Sequence, residues 1–312
     1  MANVIKIKKG LDINLKGKAS DVLLNGGKSD SYAIVPDYYN GILPKVVAKV
    51  GEKVKAGSVL MIDKNRPEIK FVSPVSGEVT AVNRGEKRKV LSIVVKPDAQ
   101  IEYEEFGKKN VASLQGAEVK EVLLNAGMWP FIKQRPYDIV AAPLDTPRDI
   151  FVSAFYSAPL APNFDFIVKG QEADFQTGLN ALAKLTNGKV YVGVRSGSVV
   201  SGMKGVEIVE VEGPHPAANV GVQINHIKPV NKGEVVWTVN PADVIVIGRL
   251  FNKGVADFSR MVAITGSETT ERGYVKTISG CTIKSLVNGK VLGQEHIRII
   301  SGNVLSGTKV MK

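Results

Sequence analysis

Apolar positions along the chain change period twice. From Gly41 to Val95, Val, Ile and Phe recur every second residue in short runs broken by glycine: Pro44 to Val50, Gly51 to Val54, Ala56 to Met61, Phe71 to Val79. Period two between glycine turns predicts strands, and many short strands at even spacing predict a small all-β barrel or sandwich. Beyond residue 110 the pattern alternates. Val119, Val122, Leu123 and Ala126 share one face of a helix that Gly127 and Pro130 terminate, and a second helix is expected from Asp174 to Leu185. Apolar runs at Tyr137 to Ala142, Ile150 to Ala154 and Lys189 to Val194 fit strands of a parallel or mixed sheet covered by those helices. From Gly254 onward the helical signal fades, and Met261 to Thr265, Tyr274 to Ile278, Cys281 to Ser285, Lys290 to Leu292 and Arg298 to Ile300 read as strands around glycine turns.

The expected organisation is multidomain α+β: a barrel-sandwich domain over 1–100, an α/β domain over 101–255 and a small β-rich domain over 256–312. The polar stretch from Pro97 to Asn110, with Glu102, Glu104 and Glu105, reads as a solvated linker. No capped element closes the chain at Lys312, so a longer natural protein is expected.

Composition narrows the classes. At 44% apolar and 23% charged residues the 312-residue chain is expected to fold throughout, in more than one core. No apolar run reaches the roughly 18 residues of a spanning helix, and the first residues mix Val4, Ile5 and Ile7 with Lys6, Lys8 and Lys9 instead of forming a signal core. Cys281, the single cysteine, can close no internal disulfide and cannot by itself hold an iron-sulfur cluster. The net charge is +11, and residues 1–100 carry 18 basic against 10 acidic side chains, which is +8 of it. Such a domain suits an anionic membrane, an acidic partner or nucleic acid, with plain solubility as the bland reading. Few aromatics interleave with the basic residues, so no nucleic-acid partner is expected.

Chemistry-bearing motifs are sparse. Neither a G-x-x-x-x-G-K-[ST] nor a G-x-G-x-x-G phosphate loop occurs, and Gly193 to Ser198 is better read as an ordinary βα turn. His215, His226 and His296 match no metal-ligand spacing, and there is no G-x-S-x-G elbow. Cys281 sits among apolar strand residues and reads as inert. No catalytic and no metal-binding residues are expected.

The stretch V-x-x-V-G-E-K-V-K-x-G-x-V-L from Val47, with P-V-S-G-E-V from Pro74, resembles the biotinyl/lipoyl barrel-sandwich domain. Carriers of that fold present a lysine at the tip between the halves. Here the tip is Lys64-Asn65-Arg66, with arginine at the counted place, and a guanidinium is a poor acyl acceptor. A biotin- or lipoate-carrying transferase component remains the rival reading, with Lys64 as its acceptor.

Across the whole chain, Ile5 to Ile13, Trp129 to Pro136, Gly213 to Pro216, Pro229 to Trp237 and Asp243 to Phe251 together resemble the A-subunit family of sodium-translocating NADH:quinone reductases. That family is similar to the C subunit of the Rnf complex and to the flavin-carrying subunit of complex I. The resemblance implies an α/β Rossmann-like domain followed by a β-grasp-like SLBB domain. It also implies a peripheral subunit on the cytoplasmic side of the bacterial inner membrane, which supports electron transfer from NADH to ubiquinone coupled to sodium export. The chain itself is expected to bind no cofactor and not to be catalytic alone; NADH, FAD, FMN, iron-sulfur and ubiquinone belong to the whole complex. The other Nqr subunits, B to F, and chiefly the membrane-embedded B subunit, are the implied partners, with a quinone contact. The relatives' flavin loop corresponds to Asn125 to Arg135, which here keeps Gly127 but fills the loop with Trp129, Pro130 and Phe131 ahead of Arg135. Bulky rings where backbone would approach a phosphate argue against FMN, so a flavin- or nucleotide-binding oxidoreductase is the third reading. The basic turn Lys87-Arg88-Lys89 is the expected docking face.

Overall fold

The computed structural model describes residues 3–26, 28–293 and 297–310. His296, one of the three histidines of the chain, lies outside them. The chain opens with strand β1 (Asn3–Lys6), and seven strands follow: β2 (Tyr32–Ile34), β3 (Pro44–Val46), β4 (Lys53–Val54), β5 (Val59–Asp63), β6 (Lys70–Val72), β7 (Gly77–Arg84) and β8 (Val90–Pro97). They form two antiparallel sheets, ordered β2-β8-β7-β4 and β3-β5-β6. Alternating inward residues Leu60, Phe71, Val75, Val79, Ile93 and Val95 fill the space between them, as a period-two pattern requires.

The second unit holds helix α1 (Gly116–Asn125), strands β9 (Lys133–Arg135), β10 (Ile139–Val140) and β11 (Ile150–Ser153), and helices α2 (Phe164–Val168) and α3 (Glu172–Ala183). Strands β12 (Val190–Val194) and β13 (Glu207–Glu212), helix α4 (Val220–Ile227), strand β14 (Val236–Thr238) and helix α5 (Pro241–Lys253) complete it. One seven-stranded sheet results, ordered β1-β13-β12-β11-β14-β9-β10. The strands from β1 to β14 in that order are parallel, and β9 and β10 add an antiparallel edge. Val190, Val192, Val194, Phe151 and Val152 are buried because helices cover the sheet. Helices α3 and α5 cross with glycine at the contact. A Cβ on Gly178 would lie 2.1 Å from the Val244 carbonyl oxygen, and one on Gly248 would lie 1.7 Å from that of Asp174.

The third unit is an antiparallel pair β15 (Ser259–Ile264) and β16 (Gly273–Ile278), a short helix α6 (Ile283–Val287) and a second antiparallel pair, β17 (Ile299–Ser301) with β18 (Thr308–Val310).

Four local expectations change. Residues 3–6, read with the barrel, run parallel to β13 as the edge of the α/β sheet; alternation alone cannot say which sheet a strand joins. Cys281 to Ser285 is not a strand, because Thr282 accepts the Ser285 N–H and caps a helix whose Ile283, Leu286 and Val287 share an apolar face. Of Lys290 to Leu292, only Val291 forms a bridge, to Thr269. The polar stretch after Pro97 is sewn down: Ala56 pairs with Tyr103, and Glu105 with Val255. The Phe106 N–H donates to the Gly254 carbonyl. Polar side chains do not make a linker when the backbone hydrogen bonds are taken.

Candidate functional site

The order of the sheet defines where a ligand would sit. From β11 the chain steps outward through β12 and β13 and then crosses back to place β14 on the other side of β11. In open α/β sheets, ligands occupy the crevice beyond the carboxyl ends of the strands at such a reversal. A cleft of about 1900 Å³ opens there, lined by Ser153 and the loop after β11, and by Thr238 and the loop after β14. The barrel contributes Val35, Tyr38, Tyr39 and Phe71, and the third unit contributes β15, β16 and the segments that follow.

Alternation on β9 sends Lys133 and Arg135 into the cleft, while Gln134 turns away and accepts the Ala142 N–H. The Lys133 ammonium stands 5.3 Å over the Tyr39 ring. Burial pushes it below the usual lysine range, with Asp138 and Asp243 pulling the other way. Among the described residues it has no hydrogen-bond acceptor. Arg135 Nε lies 3.4 Å from Asp138 Oδ1 but off the line of a hydrogen bond, and is buried without a partner. Next to them Asn240 caps α5 by accepting the Ala242 N–H, which places Asp243 in the first helical turn, where the helix end favours a carboxylate. Asp243 pairs with Arg260 of β15 at 2.9 Å, and the Arg260 guanidinium lies 6.0 Å from the centre of the Phe131 ring. Tyr156 donates to Asn240 Oδ1 at 3.3 Å. Burial, reinforced by Asp243, raises both phenols, that of Tyr39 to about 12. The inner wall therefore alternates in charge, Arg135, Asp138, Lys133, Asp243, Arg260, against aromatic faces.

The residues singled out from sequence fall in three places. Gly127, Pro130, Phe131 and Arg135 line the cleft. Trp129 points back into the core, where its indole N–H donates to the Ala141 carbonyl at 2.8 Å and its ring meets Trp237 edge to face. Gly127 has φ +67°, and a Cβ there would meet Val72 of the barrel at 2.5 Å. The loop is thus filled from within and closed from the barrel side.

The tip Lys64-Asn65-Arg66 lies between β5 and β6. Lys64 and Asn65 are exposed, but Arg66 is docked. Its Nε donates to Asp63 at 2.8 Å, its Nη1 to the Val140 carbonyl at 3.1 Å, and its Nη2 to that of Gly41 at 2.9 Å. The third place, Lys87-Arg88-Lys89, forms the exposed turn between β7 and β8, with Lys89 paired to Asp37 at 2.7 Å.

Two side candidates resolve structurally. The Gly193 to Ser198 turn is occupied by Asp165, which accepts the Ser198 hydroxyl and the Val199 N–H, so a carboxylate sits where a phosphate would need donors. His215 Nδ1 lies 3.0 Å from Ser157 Oγ, and the exposed His226 contacts the Val222 carbonyl of its own helix. Sequence reading missed Tyr39, Lys133, Tyr156, Asp243 and Arg260 as one group. The signal that could have found part of it is the alternation Lys133-Gln134-Arg135, which places both cations on one face of β9.

A barrel-sandwich domain, an α/β domain and a small β-rich domain around one ligand-sized cleft define the class: a three-domain protein built around a shared crevice. The family model of the NqrA N-terminal barrel-sandwich hybrid domain matches residues 5–98, that of the NqrA second alpha/beta domain residues 114–256, and that of the NQRA C-terminal domain, an SLBB domain, residues 261–312. The chain is 38% identical over 309 residues to the Na(+)-translocating NADH-quinone reductase A subunit of Hahella chejuensis, with 97% of this chain and 69% of that protein covered. Identity is 37% over 310 residues to the same subunit of Photorhabdus laumondii, covering 98% and 69%, and 36% over 308 residues to that of Neisseria meningitidis serogroup A, covering 97% and 69%. A solved NAD+-reducing [NiFe]-hydrogenase aligns with TM-score 0.36 at 10% identity, covering 65% of this chain and 47% of that one, too distant to carry an argument. The chain belongs to the NqrA family, the A subunits of the Na(+)-translocating NADH-quinone reductases, and its fold class is the expected one.

Proposed function

We propose that the chain is the peripheral, cytoplasm-facing subunit of a sodium-pumping NADH:quinone oxidoreductase, supporting electron transfer from NADH to ubiquinone coupled to sodium export while holding no redox group of its own. The observation that carries the cofactor-free reading is the loop from Gly127 to Arg135. Its Trp129 is buried and hydrogen-bonded, and its glycine is pressed against Val72. A flavin phosphate there would have to displace a packed indole and push the barrel away from the α/β domain. NADH, FAD, FMN, iron-sulfur and ubiquinone then reside with the other Nqr subunits, B to F. This chain bears on them through docking, chiefly to the membrane-embedded B subunit, with a quinone contact in the assembled complex.

Among the described residues no helix is long and apolar enough to cross a membrane, which suits a subunit held by partners. The turn Lys87-Arg88-Lys89 is the proposed docking face, because it projects from the barrel as three successive cations. Lys53 pairs with Glu78, Lys55 with Glu102 and Lys89 with Asp37, whereas Lys87 and Arg88 form no ion pair among the described residues and are left to meet an acidic partner.

Copurification of the tagged chain with the other Nqr subunits tests the reading. The triple change Lys87→Glu, Arg88→Glu, Lys89→Glu should abolish it, and unchanged assembly removes that face. The isolated polypeptide should show no flavin absorbance; a stoichiometric flavin would sink the cofactor-free reading.

A further inference from the structure

The switch-point cleft has a feature that docking does not use. Its inner wall carries three cations, Lys133, Arg135 and Arg260, against two carboxylates, Asp138 and Asp243, an excess of one positive charge. Arg260 donates its Nη2 to Asp243, although its Nε is buried without a partner. Lys133 and Arg135 have no hydrogen-bond acceptor at any nitrogen among the described residues, and Arg135 has only the 3.4 Å ion pair of its Nε with Asp138. They emerge from the same face of one strand, two residues apart, so their charged ends share a stretch of wall. Tyr39 and Phe131 stand beside them. Arg135 also reaches α4, its Nη1 lying 3.9 Å from where a Cβ on Gly221 would be.

We infer that this cleft is a binding site for an organic oxyanion carried on a flat ring, with Lys133 and Arg135 holding the carboxylate or phosphate and the aromatic wall of Tyr39 and Phe131 taking the ring. The half-buried Lys133 ammonium has lost part of its hydration, and among the described residues only the Tyr39 ring and the charges of Asp138 and Asp243 offset that loss, with no hydrogen-bond acceptor among them; burial still holds it below its usual range. A ligand oxyanion would restore that interaction, neutralise the excess charge and form charge-assisted hydrogen bonds. A neutral ring would gain the aromatic contact and leave both cations as they are. The wall therefore selects for the anion. The site lies at the carboxyl end of β11 and β14, where the topology places a ligand in folds of this kind, and at a volume that admits more than a bare ion.

The test is isothermal titration of the full chain with benzoate, phenyl phosphate, inorganic phosphate, neutral benzamide and neutral benzoquinone. Benzoate or phenyl phosphate should saturate one site per chain, and which of the two binds tighter identifies the oxyanion. Lys133→Met and Arg135→Gln should each weaken that binding by about ten- to a hundredfold, the loss expected for one charged hydrogen bond, while Lys133→Arg restores most of it. Arg135→Gln keeps the test alive should the lysine variant fail to fold. Benzamide or benzoquinone binding as tightly as the anions, or full affinity in both variants, or no saturable heat, would overturn the site. Inorganic phosphate binding as tightly as phenyl phosphate would overturn the role given to the ring.

Discussion

Replacing Arg66 by methionine tests whether the barrel is docked on the α/β domain through the tip that carriers of this fold leave free. Asp63 is 1% exposed; its carboxylate accepts from Arg66 Nε and from the Leu43 and Asn65 N–H groups. A methionine would keep most of the packed stem but leave that carboxylate without its cation, and the Val140 and Gly41 carbonyls without their donors. Removing one partner of a buried pair costs about 3–5 kcal/mol. Arg66 is 20% exposed, so water can reach some of the site and the lower end applies, about 3 kcal/mol. For a barrel of under about 100 residues that is a fall in melting temperature of about 12–24 °C, and for an α/β domain of about 150 residues about 6–12 °C. Thermal and urea unfolding measure it. The variant Asp63→Asn with Arg66→Met should recover some of the loss, because the uncompensated charge is gone. A loss under about 1 kcal/mol in the single variant would refute the reasoning and mean that the tip only rests on its neighbour.

Burial raises the Asp149 carboxyl, but hydrogen bonds from Lys228, the Lys189 N–H and Arg148 outweigh it and hold the group below the usual carboxylate range. Its stabilisation is therefore complete above the unfolded value near pH 4 and lost as pH falls through the lower folded value. The stability gap between wild type and Asp149→Asn should be constant near neutrality and shrink below about pH 4; a gap that widens on acidification contradicts the assignment. Gly248→Ala puts a Cβ 1.7 Å from the Asp174 carbonyl and should cost about 3 kcal/mol or more, despite alanine's better helix propensity. Gly127→Ala combines a positive φ with contact at Val72 and should cost about 1–3 kcal/mol, read from chemical denaturation. Coexpression with biotin and lipoate ligases should leave the intact mass unmodified, since the arginine at the counted acceptor position is tied to Asp63; an adduct on Lys64 would restore the carrier reading.

What the sequence made legible followed from period. The barrel strands between residues 44 and 97 and the helix at Gly116–Asn125 announced themselves through alternating or helical apolar spacing and glycine turns. What it hid followed from long-range pairing. Nothing in Asn3 to Lys6 distinguishes an edge of the barrel from the edge of a sheet whose neighbour begins at Glu207. The segment from Glu102 to Phe106 looks solvated by its side chains, yet its backbone bonds both the barrel and the end of α5. The cleft was invisible for the same reason, since Tyr39, Lys133, Tyr156, Asp243 and Arg260 come from all three units. Gly127 and the rings after it were flagged through resemblance, but the consequence of Trp129 turning inward needed Trp237, more than a hundred residues away, to be in place.

The shape of the cleft thus depends on how the three units are fastened, and each fastening is a separate polar contact. Arg66 holds the barrel to β10, Asp243 holds Arg260 of the third unit, and Ala56 and Val255 grip the segment between. A ligand that binds only the assembled cleft must stabilise all of these at once, because its affinity enters the folding equilibrium of every wall it touches. Arg66→Met, at a position that lines none of the cleft, should then weaken aromatic-anion binding as well as stability, whereas Gly248→Ala, buried between α3 and α5, should act first on stability. If Arg66→Met lowers the melting temperature and leaves the affinity of the Lys133/Arg135 wall untouched, the barrel is only a cover over the cleft and the α/β domain builds the site alone.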